Sequence, residues 1–309
     1  MTEHRLPAER LHFAFDNSLP PVLQVESGDI VTIETWDASG HEVKRTWTHE
    51  DAANRKRKPG VGHALTGPIA MAGARAGQTL VIDVLEVAPA AWGYTSFSPG
   101  RGLLPDDFPK AYIRIWDLED GRYARGMEGV LVPLAPFCGV MGVALAEPGA
   151  HSTIPPRRVG GNMDVRQLTA GSTLYLPIEV DGALFSVGDA HGAQGDGEVC
   201  ITAVEMDSVT RLRFSLSDTP VREPELRLAG PPTVIAGAYH GCTAHDPDLL
   251  QSARNATRWM IEWLCREAHL CAEDAYVLCS VAAELRISQV VDAPNWTVTA
   301  FMPLAVLGH

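Results

Sequence analysis

Thr79-Leu80-Val81-Ile82-Asp83-Val84-Leu85-Glu86-Val87 reads as a clear β-strand, entered through the turn Arg75-Ala76-Gly77-Gln78. The same style continues on both sides of it. Upstream, Leu23-Gln24-Val25-Glu26 alternates, Ser27-Gly28-Asp29 turns, and Ile30-Val31-Thr32-Ile33-Glu34-Thr35 alternates again, which is a hairpin signal. Downstream, Tyr112 to Trp116 and Gly129 to Leu134 are further strands, followed by Thr173 to Val180, Ala183 to Val187, Glu198 to Met206 and Val209 to Leu216. The 28 glycines and 22 prolines fall between the apolar runs, where turns need them. Short strands punctuated in this way favour a β-sandwich or barrel-like arrangement over a helix-linked parallel sheet.

Helix enters late. Asp246 reads as an N-cap with Pro247 at the first helical position. Leu249, Leu250, Ala253, Ala256, Trp259, Met260, Trp263 and Leu264 then recur at spacings of three and four, a buried stripe. A second helix is expected over Ala272 to Glu284, and strands over Leu285 to Val291 and Thr297 to Pro303. The expected fold is mainly β, of complex sandwich or barrel-like topology, with a small C-terminal α/β portion. It divides into an N-terminal β-rich domain (1–150), a central β segment carrying the site (151–220) and an α/β portion packed on the same body (221–309).

Composition narrows the function classes. A formal net charge of −13 opposes a nucleic-acid footprint, which needs a basic face. The one basic run, Arg55-Lys56-Arg57-Lys58, reads as a solvated surface loop. No apolar run is long enough for a membrane span, and Met1 to Arg10 shows no secretory h-region, so a cytoplasmic protein is expected. None of the six cysteines forms a C-x-x-C pair, and reduced thiols follow. Cys265 and Cys279 read as core; Cys138 is the only one on a turn-like segment, where a nucleophile is conceivable and packing is the plainer reading. No Lys-Ser/Thr follows a glycine loop and no strand–GxGxxG–helix order occurs, so no nucleotide or organic cofactor is expected.

The chemistry concentrates in Gly188-Asp189-Ala190-His191-Gly192-Ala193-Gln194-Gly195-Asp196-Gly197-Glu198. Acids and an imidazole on a glycine-hinged segment suit a hard-metal or proton-transfer site. Asp189 and His191, two apart on an extended segment, point to one side. A second polar cluster, Gly160-Gly161-Asn162-Met163-Asp164, precedes it. Asp196, between two glycines, reads as a turn former, and Asn162 reads equally as an oxyanion donor or a turn residue. His12, His63 and His240 are isolated and read as structural.

Taken together, Asp16-Asn17-Ser18-Leu19-Pro20-Pro21, Thr66-Gly67-Pro68-Ile69, Gly139-Val140-Met141-Gly142, Gly160 to Asp164, Gly182 to His191 with Gln194 to Glu198, and Arg286 to Asp292 resemble the acetamidase/formamidase family over nearly the whole chain. The resemblance implies a predominantly β fold, hydrolysis of short aliphatic amides to carboxylate and ammonia, and a homo-oligomer. On that basis Glu198, Asp164 and His191 are the expected catalytic residues. Asp164, His191, Asp189 and, from the family pattern, Asp37 are the expected ligands of a divalent metal (zinc or calcium), and Asn162 and Gly161 the expected substrate contacts. The competing reading is a non-catalytic β-scaffold that binds a metal or small ligand. A third is an enzyme of the same fold acting on a larger or cyclic amide, with Trp92 to Phe97 shaping its pocket.

Overall fold

The computed structural model describes residues 1–56, 62–102, 109–127, 130–194, 198, 200–228, 238–270, 275 and 283–307. Asp196, Cys271, Cys279 and all of the expected helix Ala272–Glu284 except residues 275, 283 and 284 lie outside the described residues. Glu284 itself opens a strand, Glu284–Gln289, that pairs with Trp296–Pro303.

Two large sheets dominate. The first runs, edge to edge, through Glu3–Leu6, Ile30–Thr35, Ser208–Ser217, Thr79–Pro89, Thr173–Pro177, Glu225–Leu228, Tyr239–Asp246, Trp296–Pro303 and Glu284–Gln289. The second runs through Val130–Pro133, Tyr123–Met127, Tyr112–Asp117, Trp92–Phe97, Glu205–Met206, Phe185–His191, Phe137–Gly142 and Gly160–Asn162, and Leu65–Met71 branches from Phe185–His191. Among the described residues neither path closes on itself, so the mainly β expectation takes its open form and the barrel alternative falls away. Strands from before and after residue 150 alternate in both sheets.

One apolar cluster joins the layers. Val31, Ile33, Leu80, Ile82 and Leu212 from the first sheet share it with Leu65, Ile69, Val140 and Val187 from the second. Phe185 meets Phe214 edge-on across the interface at 5.2 Å between ring centroids. The thiol of Cys138 belongs to this core. Its residue lies on the strand Phe137–Gly142, not on a turn, and burial pushes the thiol up to about 11, away from nucleophilic use.

The hairpin expected at Ser27-Gly28-Asp29 does not form. The turn is present, but Leu23–Val25 pairs with Leu65–Met71 in the second sheet while Ile30–Thr35 pairs in the first. Gly28, at φ 94, and the Asp29 carboxylate, which accepts from the amides of Thr2 and Glu26, hand the chain from one sheet to the other.

The helix Leu249–Glu267 covers the outer end of the first sheet. Its N-cap is Asp248, whose side chain accepts from the amides of Leu250 and Gln251. Asp246 is already committed to the strand Tyr239–Asp246, so the cap falls two residues later than the Asp-Pro pair suggested. The buried stripe is Ser252, Ala256, Met260, Trp263 and Leu264; Leu250, in the first turn, is exposed. No described helix is long and apolar enough to cross a membrane.

Beside this sheet, burial pushes the Glu223 carboxyl up to about 7 from an ordinary 4.5, and its Oε2 has no partner. A raised acid costs nothing while protonated in both folded and unfolded chains. It destabilises the fold as pH climbs from the ordinary value through the raised one. Glu223→Gln is therefore expected to melt with the wild-type chain at pH 4 and above it at pH 8, which thermal unfolding at the two pH values measures.

Candidate active site

The site grows from the strand Phe185–His191, where the sheet branches. On one side this strand pairs with Phe137–Gly142 in a single register that skips only Gly139 and Asp189. On the other its partner changes from Leu65–Met71, opposite Phe185 to Gly188, to Glu205–Met206, opposite Ala190 and His191. Asp189 sits where the partner changes and adopts φ 56. Asp164 and Glu198 are left-handed too, at φ 51 and 47. Three acids of one cluster thus hold a conformation that costs a non-glycine residue free energy, a pattern found at functional sites.

Asp164, Asp189, His191 and Glu198 converge as expected, on the strand and its flanks. Glu205, which the sequence reading missed, joins them. His191 Nε2 lies 3.4 Å from Asp189 Oδ1, 3.3 Å from Glu205 Oε1 and 3.9 Å from Glu198 Oε1, and Nδ1 is 3.9 Å from Asp164 Oδ1. All five residues are buried, Asp164 and His191 to 1% exposure. Despite this crowding, His191 Nε2, Glu205 Oε2 and both Asp164 carboxylate oxygens make no hydrogen bond. Atoms that converge at ligand-like spacing without bonding one another fit a shared cation better than a hydrogen-bonded network. Two donor triads meet this description: Asp164–His191–Glu198 and Asp189–His191–Glu205.

Gln194 decides which imidazole nitrogen is available. Its Nε2 donates to the carbonyl of Asp164 at 2.9 Å. A carbonyl only accepts, so the amide oxygen must face His191 Nδ1, also at 2.9 Å. Nδ1 then carries the proton and donates, and Nε2 faces the acids.

The electrostatics follow from burial. Desolvation raises Asp164 and Glu198 well above the usual carboxylate range, and neighbouring carboxylates add to it. Burial likewise raises Glu205. Burial opposes charge on His191, but Glu205 and Asp189 override it and hold the imidazole well above its ordinary value. Asp189 shows the converse: burial works against its charge, and His63 and His191 outweigh that and lower it.

A cavity of about 320 Å³ opens onto these groups. Asp164, Asp189, Glu198, Glu205 and Asn162 line it, as do Asp292, His63, Arg101 and Tyr94. Asn162 donates through Nδ2 to Asp292 Oδ2 at 2.7 Å and to the carbonyl of Ile154 at 3.1 Å, so its donors are used and its unpartnered Oδ1 remains as an acceptor. Burial pushes Asp292 up to about 6. Tyr94 donates to Asp37 at 3.1 Å.

Other expectations land elsewhere. Gly161 does not line the cavity; at φ 99 it pairs with Met141 behind Asn162. Asp37 stands outside both His191 triads, and its carboxylate accepts from the amides of Ser39 and His41 as well as from Tyr94. Its neighbours in a separate donor group are His41 and Asp207. His63 faces the cavity with a buried, unpartnered Nδ1. His12 and His240 are structural in their bonding: His12 bridges the Ala14 carbonyl and Ser186, and His240 stacks on Trp263. Arg55 is no solvated residue; it pairs with Glu42 at 2.8 Å on the cavity wall. Arg57 and Lys58 lie outside the described residues.

Gly139 makes room for the cluster. A Cβ there would lie 2.5 Å from Asp164 Oδ1, 2.8 Å from Asp189 Oδ2 and 2.9 Å from His191 Cε1. Its carbonyl also accepts from the amides of Met163 and Asp164. Gly139→Ala is expected to keep the β-sheet circular dichroism but to displace the acids around His191, read as a shift of the His191 ring signals in ¹⁵N NMR spectra; unchanged signals would show that the cluster tolerates the methyl. Gln194→Leu is expected to shift His191 away from the Nδ1–H tautomer in ¹⁵N NMR spectra. It is expected to weaken divalent-cation binding by about 10- to 100-fold, the usual cost of losing a ligand's hydrogen-bond partner.

Comparison with known proteins places this geometry. The family model described as Acetamidase/Formamidase family matches residues 2–149 and 144–309. The formamidase of Methylophilus methylotrophus is 27% identical, over 96% of this chain and 89% of its own. The acetamidase of Bacillus halodurans superposes with a TM-score of 0.89 at 29% identity, covering 98% of each chain. The gamma lactamase of Delftia acidovorans superposes with a TM-score of 0.68 at 27% identity, covering 96% of this chain and 89% of its own. On the family match over both halves, the chain belongs to the acetamidase/formamidase family.

Proposed function

We propose that this protein hydrolyses the C–N bond of short linear amides, of formamide or acetamide type, to carboxylate and ammonia. The observation that carries this reading is the buried convergence of three carboxylates on His191 Nε2 and of Asp164 on its Nδ1, the four acids lining a cavity. The family relatives named formamidase and acetamidase support it.

The orphaned oxygens of Asp164 and Glu205 and the bare face of His191 Nε2 fit a divalent cation. Asp189, His191 and Glu205 would hold it, with Asp164 closing the set. When bound, such a cation polarises the amide carbonyl and acidifies water. The remaining work belongs to the chain. Glu198 is buried and lines the cavity, and burial raises its pKa, so that it holds a proton more firmly than an ordinary carboxyl and is suited to exchange one with a bound reactant. In this reading it takes a proton from the attacking water and delivers it to the departing nitrogen. Asn162 Oδ1 accepts an N–H of the substrate amide, a contact an ester lacks. Asp292 holds the Asn162 side chain in that orientation, and Asp37 holds the Tyr94 hydroxyl on the cavity wall.

A second reading, a larger or cyclic amide, is favoured by the cavity's 320 Å³, at the lower end of drug-sized pockets and roomy for a four-atom amide, and by the gamma lactamase neighbour. The cytoplasmic setting rests on the free thiols of Cys138, Cys200, Cys242 and Cys265. The homo-oligomer is supported by Leu285 and Ile287, exposed on the edge strand Glu284–Gln289.

Ammonia release from formamide, acetamide, longer aliphatic amides and a γ-lactam decides among these readings. Wild-type protein supplied with zinc or calcium is expected to turn over the short amides. Glu198→Gln is expected to lower kcat by about 100-fold or more, the usual share of a general acid–base, with KM little changed. Turnover confined to the lactam would transfer the assignment to cyclic amides; cation and amide binding without any turnover would leave the non-catalytic scaffold.

A further inference from the structure

A second set of unlike donors is enclosed away from the amide site, on the first sheet. Glu225 and Cys242 are register partners on the adjacent strands Glu225–Leu228 and Tyr239–Asp246, and His240 lies two residues before Cys242 on the same face. The helix Leu249–Glu267 closes over them: the Trp263 ring stacks on His240 at 3.9 Å with 6° between planes. All three side chains are buried, Cys242 completely.

Both neighbours of His240 converge on one atom. Glu225 Oε2 is 3.1 Å and Cys242 Sγ 3.5 Å from the same nitrogen, Nε2. A catalytic relay would place the thiol on one ring nitrogen and the acid on the other. All three donor types are ones that zinc takes, and their ligand atoms lie within 4.8 Å of one another. One metal ion would use all three atoms at once. For a tetrahedral zinc with Zn–N and Zn–O of about 2.0–2.1 Å and Zn–S of about 2.3 Å, the ligand atoms stand about 3.5 Å apart for N···S and about 3.3 Å for N···O. The observed separations of 3.5 and 3.1 Å match the edges of that tetrahedron.

We propose that Glu225, His240 and Cys242 form a structural site for a zinc-class divalent cation that ties the outer strands of the first sheet to one another beneath the helix. Glu225 also lines an adjoining cavity of about 280 Å³, which supplies space for a water as fourth ligand. Binding releases the Cys242 thiol proton to solvent, and the imidazole carries its remaining proton on Nδ1. Thiolate and carboxylate together neutralise the ion. Arg266, 3.9 Å from Glu225 Oε2, is itself paired with Glu267 at 2.8 Å.

Cobalt(II) tests this separately from the amide site, because only a thiolate ligand gives cobalt an intense near-ultraviolet charge-transfer band and the His191 cluster contains no sulfur. Metal-free full-length protein titrated with cobalt is expected to develop that band to a single equivalent and to lose it on adding zinc. Cys242→Ser, nearly isosteric and checked for folding by circular dichroism, is expected to lack the band while retaining amide hydrolysis. Glu225→Gln is expected to keep the band with weaker cobalt affinity. Absence of the band in folded wild-type protein, its persistence in Cys242→Ser, or unchanged affinity in Glu225→Gln would each overturn the site.

Discussion

The burial of several carboxylates around one imidazole is the constraint to which the rest of this structure answers. Asp164, Asp189, Glu198 and Glu205 surround His191 in a region almost without solvent. Removing an ion from water is costly unless opposite charge or hydrogen bonds replace the hydration. One imidazolium offsets one carboxylate, so the chain alone leaves the others to be protonated or matched by a cation. The raised acids and the lowered Asp189 are two sides of this shortage: burial raises Asp164, Glu198 and Glu205, while at Asp189 the neighbouring His63 and His191 outweigh burial and lower it. A divalent ion removes the shortage at once, and the orphaned oxygens are where it would do so.

Such a cluster has to be built on something stiff, and the branch in the second sheet provides it. The strand Phe185–His191 is anchored on Phe137–Gly142 both before and after Asp189, so its other side can change partners without the strand losing its position. At the change, Asp189 leaves extended geometry, and Gly139 opposite leaves the volume that the acids occupy. The same glycine's carbonyl takes the amides of Met163 and Asp164, so a single residue sets the distance between two distant segments of chain. Gln194 then joins Asp164 to His191 through its two amide atoms. The strained φ of Asp189 persists between flanking residues that the sheet holds on both sides, whereas Asp164 and Glu198 carry theirs outside the strands.

What was legible in the sequence was local. Asp189 and His191 stand two apart on a strand, and their shared side followed from extended periodicity even though Asp189 bends the backbone. Alternation and turn residues located several strands within two residues, Thr79–Pro89 and Trp296–Pro303 among them, whereas of the expected strand Glu198 to Met206 only Glu205–Met206 is found among the described residues. Pairing was not legible. Leu23–Val25 and Ile30–Thr35 carry a hairpin pattern, but the burial of each face is satisfied in different sheets, and no local signal distinguishes the two outcomes. The site was incomplete for the same reason. Glu205 arrives by strand pairing opposite His191, Asp292 through Asn162, and Gly139 by close approach. Each depends on contacts far apart in the chain. Asp37 followed the family pattern, whereas its own turn, rich in backbone donors, takes up its oxygens.

The balance of charge in the cavity also gives the proposed hydrolysis a direction. A small amide is neutral and rich in N–H donors, and the wall offers acceptors: Asn162 Oδ1 and the oxygens of Asp292 and Glu198. Entry therefore costs little desolvation, since each hydrogen bond lost to water has a replacement. The carboxylate product reverses this relation. It brings two further acceptors and no N–H donor to a wall already supplied with acceptors, so the hydrogen bonds it loses to water are less well replaced. Arg101 and Arg55 are cationic groups of the same wall. Ammonia, in contrast, leaves as a donor among acceptors. In the proposed hydrolysis, a wall rich in acceptors thus suits the amide better than its carboxylate product.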